Sequence, residues 1–194
     1  TLSWAGRDVR IEHAFIDGPS KAPLLVFLHE GLGSLAMWKD FPERLCRATG
    51  TRGLVYSRPG YGRSSPHTAP LRPDFMHRQA QELLPALLDA LEIDEPVVPF
   101  GHSDGGSIAL LHAARFASAV AGAVVLAPHI MVEDLSVASI AQARQAYRTT
   151  DLRERLTRHH DDPDSAFHGW NDVWLLPAFR HWSIEAEIGA ITCP

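Results

Sequence analysis

Positive charge is scarce in this chain. Eighteen Lys and Arg face 23 Asp and Glu, a net charge of −5 with the histidines neutral. Lys21 and Lys39 are the only lysines. Nucleic-acid affinity rests on dense basic surface, so no nucleic-acid partner is expected. Cysteine is as sparse: Cys46 and Cys193 alone do not make a disulfide-stapled scaffold. Long apolar runs are missing too. Leu24–Leu28 and Ala121–Ala127 fall far short of the roughly 18 to 20 residues that span a bilayer, so no membrane partner is expected. Thr1 to Asp17 is mixed and polar and carries no export signature, which makes the cytoplasm the expected location. Gly60 to Ser64 lacks the lysine of a phosphate-binding loop, and no dinucleotide glycine pattern follows the first strand. No cofactor is expected. His159-His160-Asp161-Asp162 sets four ligand types side by side, a spacing that does not fold onto one ion. It reads as a solvated helix end, and no metal is expected.

What remains is the composition of a globular domain. The chain is 45% hydrophobic over 194 residues, enough to bury a core without staples. Val9–Phe15 alternates like a strand, and Leu24–Leu28 is continuous like a strand covered on both faces. The glycine-bearing loop His29–Ser34 follows. Met37–Cys46 sets Trp38, Phe41 and Leu45 on one helical face. Thr51–Tyr56 reads as a strand entering Ser57–Pro66, which is too rich in Gly and Pro for regular structure. Phe75–Leu91 carries a helical stripe through Phe75, Gln79, Leu83, Leu87 and Leu91, with a kink or two consecutive segments expected at Pro85. Glu95–Phe100 is a short strand, Ser107–Phe116 a helix and Val120–Leu126 a fourth apolar strand. This alternation predicts an α/β domain with a mostly parallel sheet flanked by helices. Beyond it, helices are expected over Val137–Thr149, Leu152–Arg158 and Ala166–Arg180. The expected organisation is a core over 1–130, a helical lid over 131–183, and a return to the core over 184–194.

The sharpest chemical signal is Gly101-His102-Ser103-Asp104-Gly105, a G-x-S-x-G pattern between an apolar strand and an apolar helix. In that context the serine sits on a tight turn with its hydroxyl exposed above the sheet edge. The next helix then aims its first amides at charge forming on a substrate. The backbone N–H of Asp104 is one candidate oxyanion donor, and that of Gly31 in His29–Gly33 is the other. Loops at the carboxyl ends of parallel strands are where such sites form.

Three segments in order carry a resemblance. Leu25–His29 with Gly31, Gly33 and Trp38 resembles the histidine–glycine oxyanion segment of the α/β-hydrolase superfamily. Tyr56–Ser64 is similar to its loop after the next strand, and Gly101–Gly106 to its nucleophile turn. The resemblance implies an α/β-hydrolase fold with a helical lid, in an esterase-like or C–C-bond-hydrolase-like member. It implies a serine hydrolase in which Ser103 attacks an ester or related carbonyl and forms an acyl-enzyme. Two positions depart from the family. Glu30 stands in place of a usual glycine; the plain reading is local bonding to backbone amides, the functional one repulsion of anionic substrates or tethering of the loop. Ser57 stands where the family often carries aspartate, so that carboxylate's contact is lost or replaced.

A serine needs a base, and the base an orienting acid. The resemblance implies that both follow the lid, beyond residue 194, with the last strands and helices of the fold, about 60 to 90 residues. His129, after the strand ending near Ala127, is expected to line the lid hinge or the pocket; the alternative is that it serves as the base. His29 and His102 are expected to fix loops, and Trp170 and Trp174 to pack the lid or wall the pocket. The expected partner is a small-molecule ester or related carbonyl compound. A homodimer, or pairing with a further C-terminal segment, stays open. The rival reading is a non-catalytic or inactive α/β-hydrolase-like fragment or binding domain.

Overall fold

A computed structural model describes residues 1–194. The chain opens on a hairpin: Leu2–Trp4 (β1) pairs antiparallel with Arg7–Val9 (β2) around Ala5 and Gly6, both at positive φ. The single strand expected over Val9–Phe15 is two, because the next strand is His13–Ile16 (β3). The backbone between them bonds elsewhere. Arg10 N–H donates to the Ser65 hydroxyl, Glu12 N–H to the Ser64 hydroxyl, and Glu12 carbonyl accepts from Ser57 N–H. The Gly- and Pro-rich loop claims these groups before a sheet neighbour can.

Leu24–Leu28 (β4) is buried at all five positions. Leu24, Val26 and Leu28 enter the larger core, and Leu25 and Phe27 the smaller one on the opposite face. That two-sided burial is why the run is continuous rather than alternating. A 3₁₀ turn, Leu35–Trp38, then precedes helix Phe41–Thr49 (α1). The one helix expected over Met37–Cys46 divides at Lys39, whose φ is +54°. Pro42 lies in the first turn of α1, where its missing N–H is harmless. Arg52–Tyr56 (β5) lies parallel to β4 and antiparallel to β3.

Phe75–Arg78 (α2), a π-helical segment Gln79–Leu83, and Leu84–Ala90 (α3) form one rod. The irregularity therefore precedes Pro85, which occupies the first turn of α3. Val98–His102 (β6) pairs parallel with β4, and Asp104–Arg115 (α4) follows after one residue. Val124–Leu126 (β7) closes the order β3-β5-β4-β6-β7. It is shorter and wetter than the strand expected over Val120–Leu126: Val120 makes only an isolated bridge to Val97, and Val124 and Leu126 are 42% and 45% exposed. β7 has a strand neighbour on one side alone, β6.

Three helices follow: Asp134–Thr149 (α5), Leu152–Leu156 (α6) and Pro163–Trp174 (α7). The Asp162 carboxylate caps α7 by accepting from Ser165 N–H at 2.9 Å. The helix expected over Ala166–Arg180 stops at Trp174, and Pro177 starts a separate 3₁₀ turn to His181. The two ends of this helical segment meet: Met131 bridges Ser183, Val132 N–H donates to Trp182 carbonyl, and Ile184 N–H to Ile130 carbonyl. Glu185–Ile188 (α8) packs against α4, and Ala123 N–H donates to the Pro194 carbonyl. No helix is long and apolar enough to cross a membrane.

Candidate active site

β6 ends at His102 and α4 begins at Asp104, so the whole reversal falls on Ser103. Its φ of 53° and ψ of −122° are unusual for a residue with a Cβ. The surroundings hold it there. Ser103 N–H donates to Leu126 carbonyl at 2.9 Å, and Ser103 carbonyl accepts from Gly106 N–H at 2.8 Å. A Cβ on Gly101 would strike the Gly105 carbonyl, and one on Gly105 would strike the Leu28 carbonyl. Glycine at both positions lets α4 descend onto β4 and β6.

Ser103 Oγ lies 3.1 Å from His129 Nε2. The hydroxyl donates to Nε2 when the ring carries its proton on Nδ1. His129 is held by its backbone: its N–H donates to Ser107 Oγ at 2.9 Å, and the same hydroxyl donates to its carbonyl at 2.7 Å. The ring meets Trp174 edge-on at 4.7 Å between centroids. Trp174 is fully buried and also donates its indole N–H to Asp104 Oδ2 at 3.4 Å.

The second wall is the loop after β4. Arg58 N–H donates to His29 Nε2 at 3.1 Å, so that nitrogen bears the lone pair. Nδ1 therefore carries the proton and donates to Glu30 carbonyl at 2.7 Å. The 3.3 Å approach of Arg58 Nη2 to Nδ1 then joins two donors; the Nη2 bond that counts is the one to Glu30 carbonyl at 2.8 Å. His29 and Arg58 thus grip the peptide before Gly31. Gly31 N–H donates to no protein group. Trp170 of α7 crosses directly over Gly31, where a Cβ would collide with its indole nitrogen. The Asp104 carboxylate is 3.0 Å from the same point. The two proposed oxyanion residues are therefore neighbours. Burial pushes the Asp104 carboxyl above its usual range, with the Arg58 charge opposing.

Glu30 does not bond to backbone amides, contrary to the plain reading of its sequence position. Its carboxylate faces the half-exposed ring of His102, the residue before Ser103, with Oε2 3.7 Å from Nδ1. The carboxylate missing at Ser57 is replaced from the segment between β2 and β3. Glu12 Oε2 accepts from Ser57 Oγ at 2.7 Å and from Arg63 N–H at 2.9 Å. No local sequence signal links Glu12 to this loop.

The stretch expected as a solvated helix end is only partly so. His160 is 3% exposed and accepts the Gly62 N–H on Nδ1 at 3.0 Å. It joins His29 and His67 around the Tyr61 ring, at centroid distances of 6.2, 5.3 and 5.5 Å. Arg58 lies over the same ring at 5.1 Å. Burial, with Arg58 adding for two of them, keeps these rings neutral: His29 is held well below its ordinary value, and His67 and His160 at about 4. No three His, Cys, Asp or Glu side chains here or elsewhere converge as metal ligands.

These neutral rings set a pH dependence. In the unfolded chain a histidine titrates near 6.5. Above that pH neither state is protonated and the stability is complete. As pH falls from about 6.5 towards 4, the unfolded chain takes up protons that folded His67 and His160 refuse, so stability drops. Each is worth on the order of 2 kcal/mol by pH 4. Urea denaturation at pH 7 and pH 4.5 measures it. His160→Gln, which keeps an acceptor for Gly62, should lose less between those values than the parent. An unchanged loss would mean that His160 is already charged in the fold.

Comparison with known proteins follows the same outline. The model of the alpha/beta hydrolase fold family matches residues 23–180. Over 120 residues, 62% of this chain, the sequence is 31% identical to the sn-1-specific diacylglycerol lipase ABHD11 of Mus musculus. The chain spans 37% of the length of that relative. An esterase from Thermogutta terrifontis superposes with a TM-score of 0.69 at 17% identity, over 100% of this chain and 76% of its own. A carboxylesterase structure from Nitrososphaera gargenis gives 0.64 at 21% identity, over 100% and 72%. At those identities the likeness is one of fold. The family match covers most of the chain and takes in the loop after β4, the Tyr61 loop and the Ser103 turn together, and by it this protein belongs to the α/β-hydrolase family.

Proposed function

We propose that the protein is a serine hydrolase acting on a carboxylic ester or related carbonyl compound through an acyl-enzyme. The observation that carries this reading is the Ser103 hydroxyl, on a strained turn at the carboxyl edge of the sheet, 3.1 Å from His129 Nε2. Ser103 Oγ attacks the carbonyl carbon. His129 Nε2 is within reach of the proton released. The amides of Gly31 and Asp104 receive the charge that moves onto the carbonyl oxygen. The alcohol leaves, and water then cleaves the acyl-serine. His129 Nδ1 has no carboxylate bonded to it, so these residues supply two members of the usual relay rather than three. The segment 131–183 acts as a lid through Trp170 and Trp174. The ester class finds support in the relatives, one bearing the name of a diacylglycerol lipase and others of esterases.

A fluorophosphonate probe tests the nucleophile. It should add one adduct, and peptide mapping should place it on Ser103. Ser103→Ala should take no label. A label that persists in Ser103→Ala, or none in the parent, overturns the assignment. One observation favours a second reading, that of a non-catalytic pairing domain: β7 has one strand neighbour and carries exposed Val124 and Leu126. An unlabelled protein that recruits a strand at β7 would establish it.

A further inference from the structure

The residue after Ser103 carries a carboxyl group that the fold leaves unsatisfied. Asp104 is 1% exposed, and its Oδ1 is buried without a hydrogen-bond partner. Oδ2 has one long bond, from the Trp174 indole at 3.4 Å. The Arg58 charge acts on it through space without a hydrogen bond: Nη2 bonds the Glu30 carbonyl, Nε and Nη1 stay unpaired, and none of the three bonds Asp104. A buried carboxyl oxygen without a donor is costly, and nearly all such atoms in folded proteins find a partner. The carboxyl lies against Gly31, under the indoles of Trp170 and Trp174. It is therefore on the oxyanion side of Ser103, where the acyl part of a substrate must lie.

Resting on the serine-hydrolase reading, we propose that Asp104 is the specificity-determining residue, receiving a protonated amine carried next to the scissile carbonyl, so that α-amino esters are the preferred substrates. The placement follows from covalent geometry. The amide and the carboxyl of one residue serve two substrate groups, so those groups are close neighbours as well. The choice of an amine follows from charge. Glu30 adds a second carboxylate nearby, and its charge also acts on Asp104. An ammonium supplies donors to both Asp104 oxygens and neutralises the buried charge, whereas a hydroxyl supplies one donor and leaves the charge in place. Burial pushes the empty carboxyl towards its neutral form, and a bound cation reverses that pressure.

Tryptophan fluorescence provides the readout, since two of the five tryptophans, Trp170 and Trp174, flank the carboxyl. It is followed while the whole chain is titrated with L-leucinamide, its 2-hydroxy analogue, or 4-methylpentanamide. None of the three needs turnover. Leucinamide should bind at least tenfold more tightly than either analogue. The preference should vanish in Asp104→Asn, and in the parent as pH rises past about 8, where the amine loses its proton. Fluorophosphonate labelling in parallel separates two failures. Ser103 labelled, with leucinamide and 4-methylpentanamide binding equally, overturns the role of Asp104 alone. No labelling, with the leucinamide preference intact, overturns the hydrolase reading and retains an ammonium site. Equal binding of the hydroxy analogue overturns the amine as the ligand. Should Asp104→Asn fail to fold, the three amides and the pH profile of the parent decide the matter unaided.

Discussion

Replacing Ser103 is expected to give two proteins of unequal stability and, on the serine-hydrolase reading, of equally impaired activity. Both Ser103→Ala and Ser103→Gly should hydrolyse p-nitrophenyl acetate about 10²-fold more slowly than the parent, because a relay without its acid has less to lose than a complete one. Both lose the bond to His129. They differ in the backbone. At φ 53° and ψ −122° a Cβ is strained, by about 1 to 3 kcal/mol. Alanine keeps the strain and glycine releases it. Glycine ordinarily costs about 0.5 to 1 kcal/mol relative to alanine through the unfolded chain. Here the order should reverse, with Ser103→Gly the more stable by about 1 kcal/mol and its melting temperature higher by about 2 to 4 °C. Thermal melts of the pair, with ester assays, check both halves. A more stable alanine variant would mean that the turn holds no strain. Surviving hydrolysis in both would move the nucleophile elsewhere.

Gly105→Ala should destabilise the protein more than any surface change. The new methyl would strike the Leu28 carbonyl oxygen and come within 2.6 Å of the His29 carbonyl oxygen. Both belong to backbone. Leu28 ends β4, a strand buried at every position and flanked by β5 and β6, and His29 is fixed through Arg58 and Glu30. No flexible side chain can give way, so α4 must retreat from the sheet. Overpacking costs typically 1 to 3 kcal/mol, and with rigid backbone on the other side we expect about 3 or more. That lowers the melting temperature by roughly 6 to 12 °C. Gly189→Ala is the matched control, since its nearest neighbour would be 3.9 Å away. A Gly105→Ala melt within about 2 °C of the parent would show that α4 and β4 are looser than their contacts imply.

The legible parts of the site are those made by neighbours in sequence. The Ser103 turn needs glycine on both sides within five residues, so strand, turn and helix are written contiguously. Leu24–Leu28 is legible for a like reason, because two-sided burial leaves a run with no polar break. The illegible parts are made by packing between distant segments. Glu12 reaches Ser57 across 45 residues, and His160 reaches Gly62 across 98. Neither carries a local pattern, and His160 was hidden in a polar stretch whose neighbours are solvated. His129 lay between the two cases. Its place after β7 marks it for the active edge, but its distance from Ser103 depends on the anchoring of its backbone by Ser107. Element ends are illegible where a competing bond, a positive φ or a proline decides them, as at Glu12, Lys39 and Pro177.

The π-helical turn at Gln79–Leu83 explains a spacing that is otherwise odd. Buried side chains fall at Phe75 and Met76, Gln79 and Ala80, Leu83 and Leu84, Leu87 and Leu88. The pairs recur every four residues. A regular α-helix completes a turn in 3.6, so such pairs would drift about 40° around the axis per repeat. Three repeats would carry the last leucines well away from the first phenylalanine. A wide turn with i to i+5 bonds takes up extra residues and cancels the drift. It works as a phase shifter, letting a rod one residue too long keep the same side towards the main core and α4.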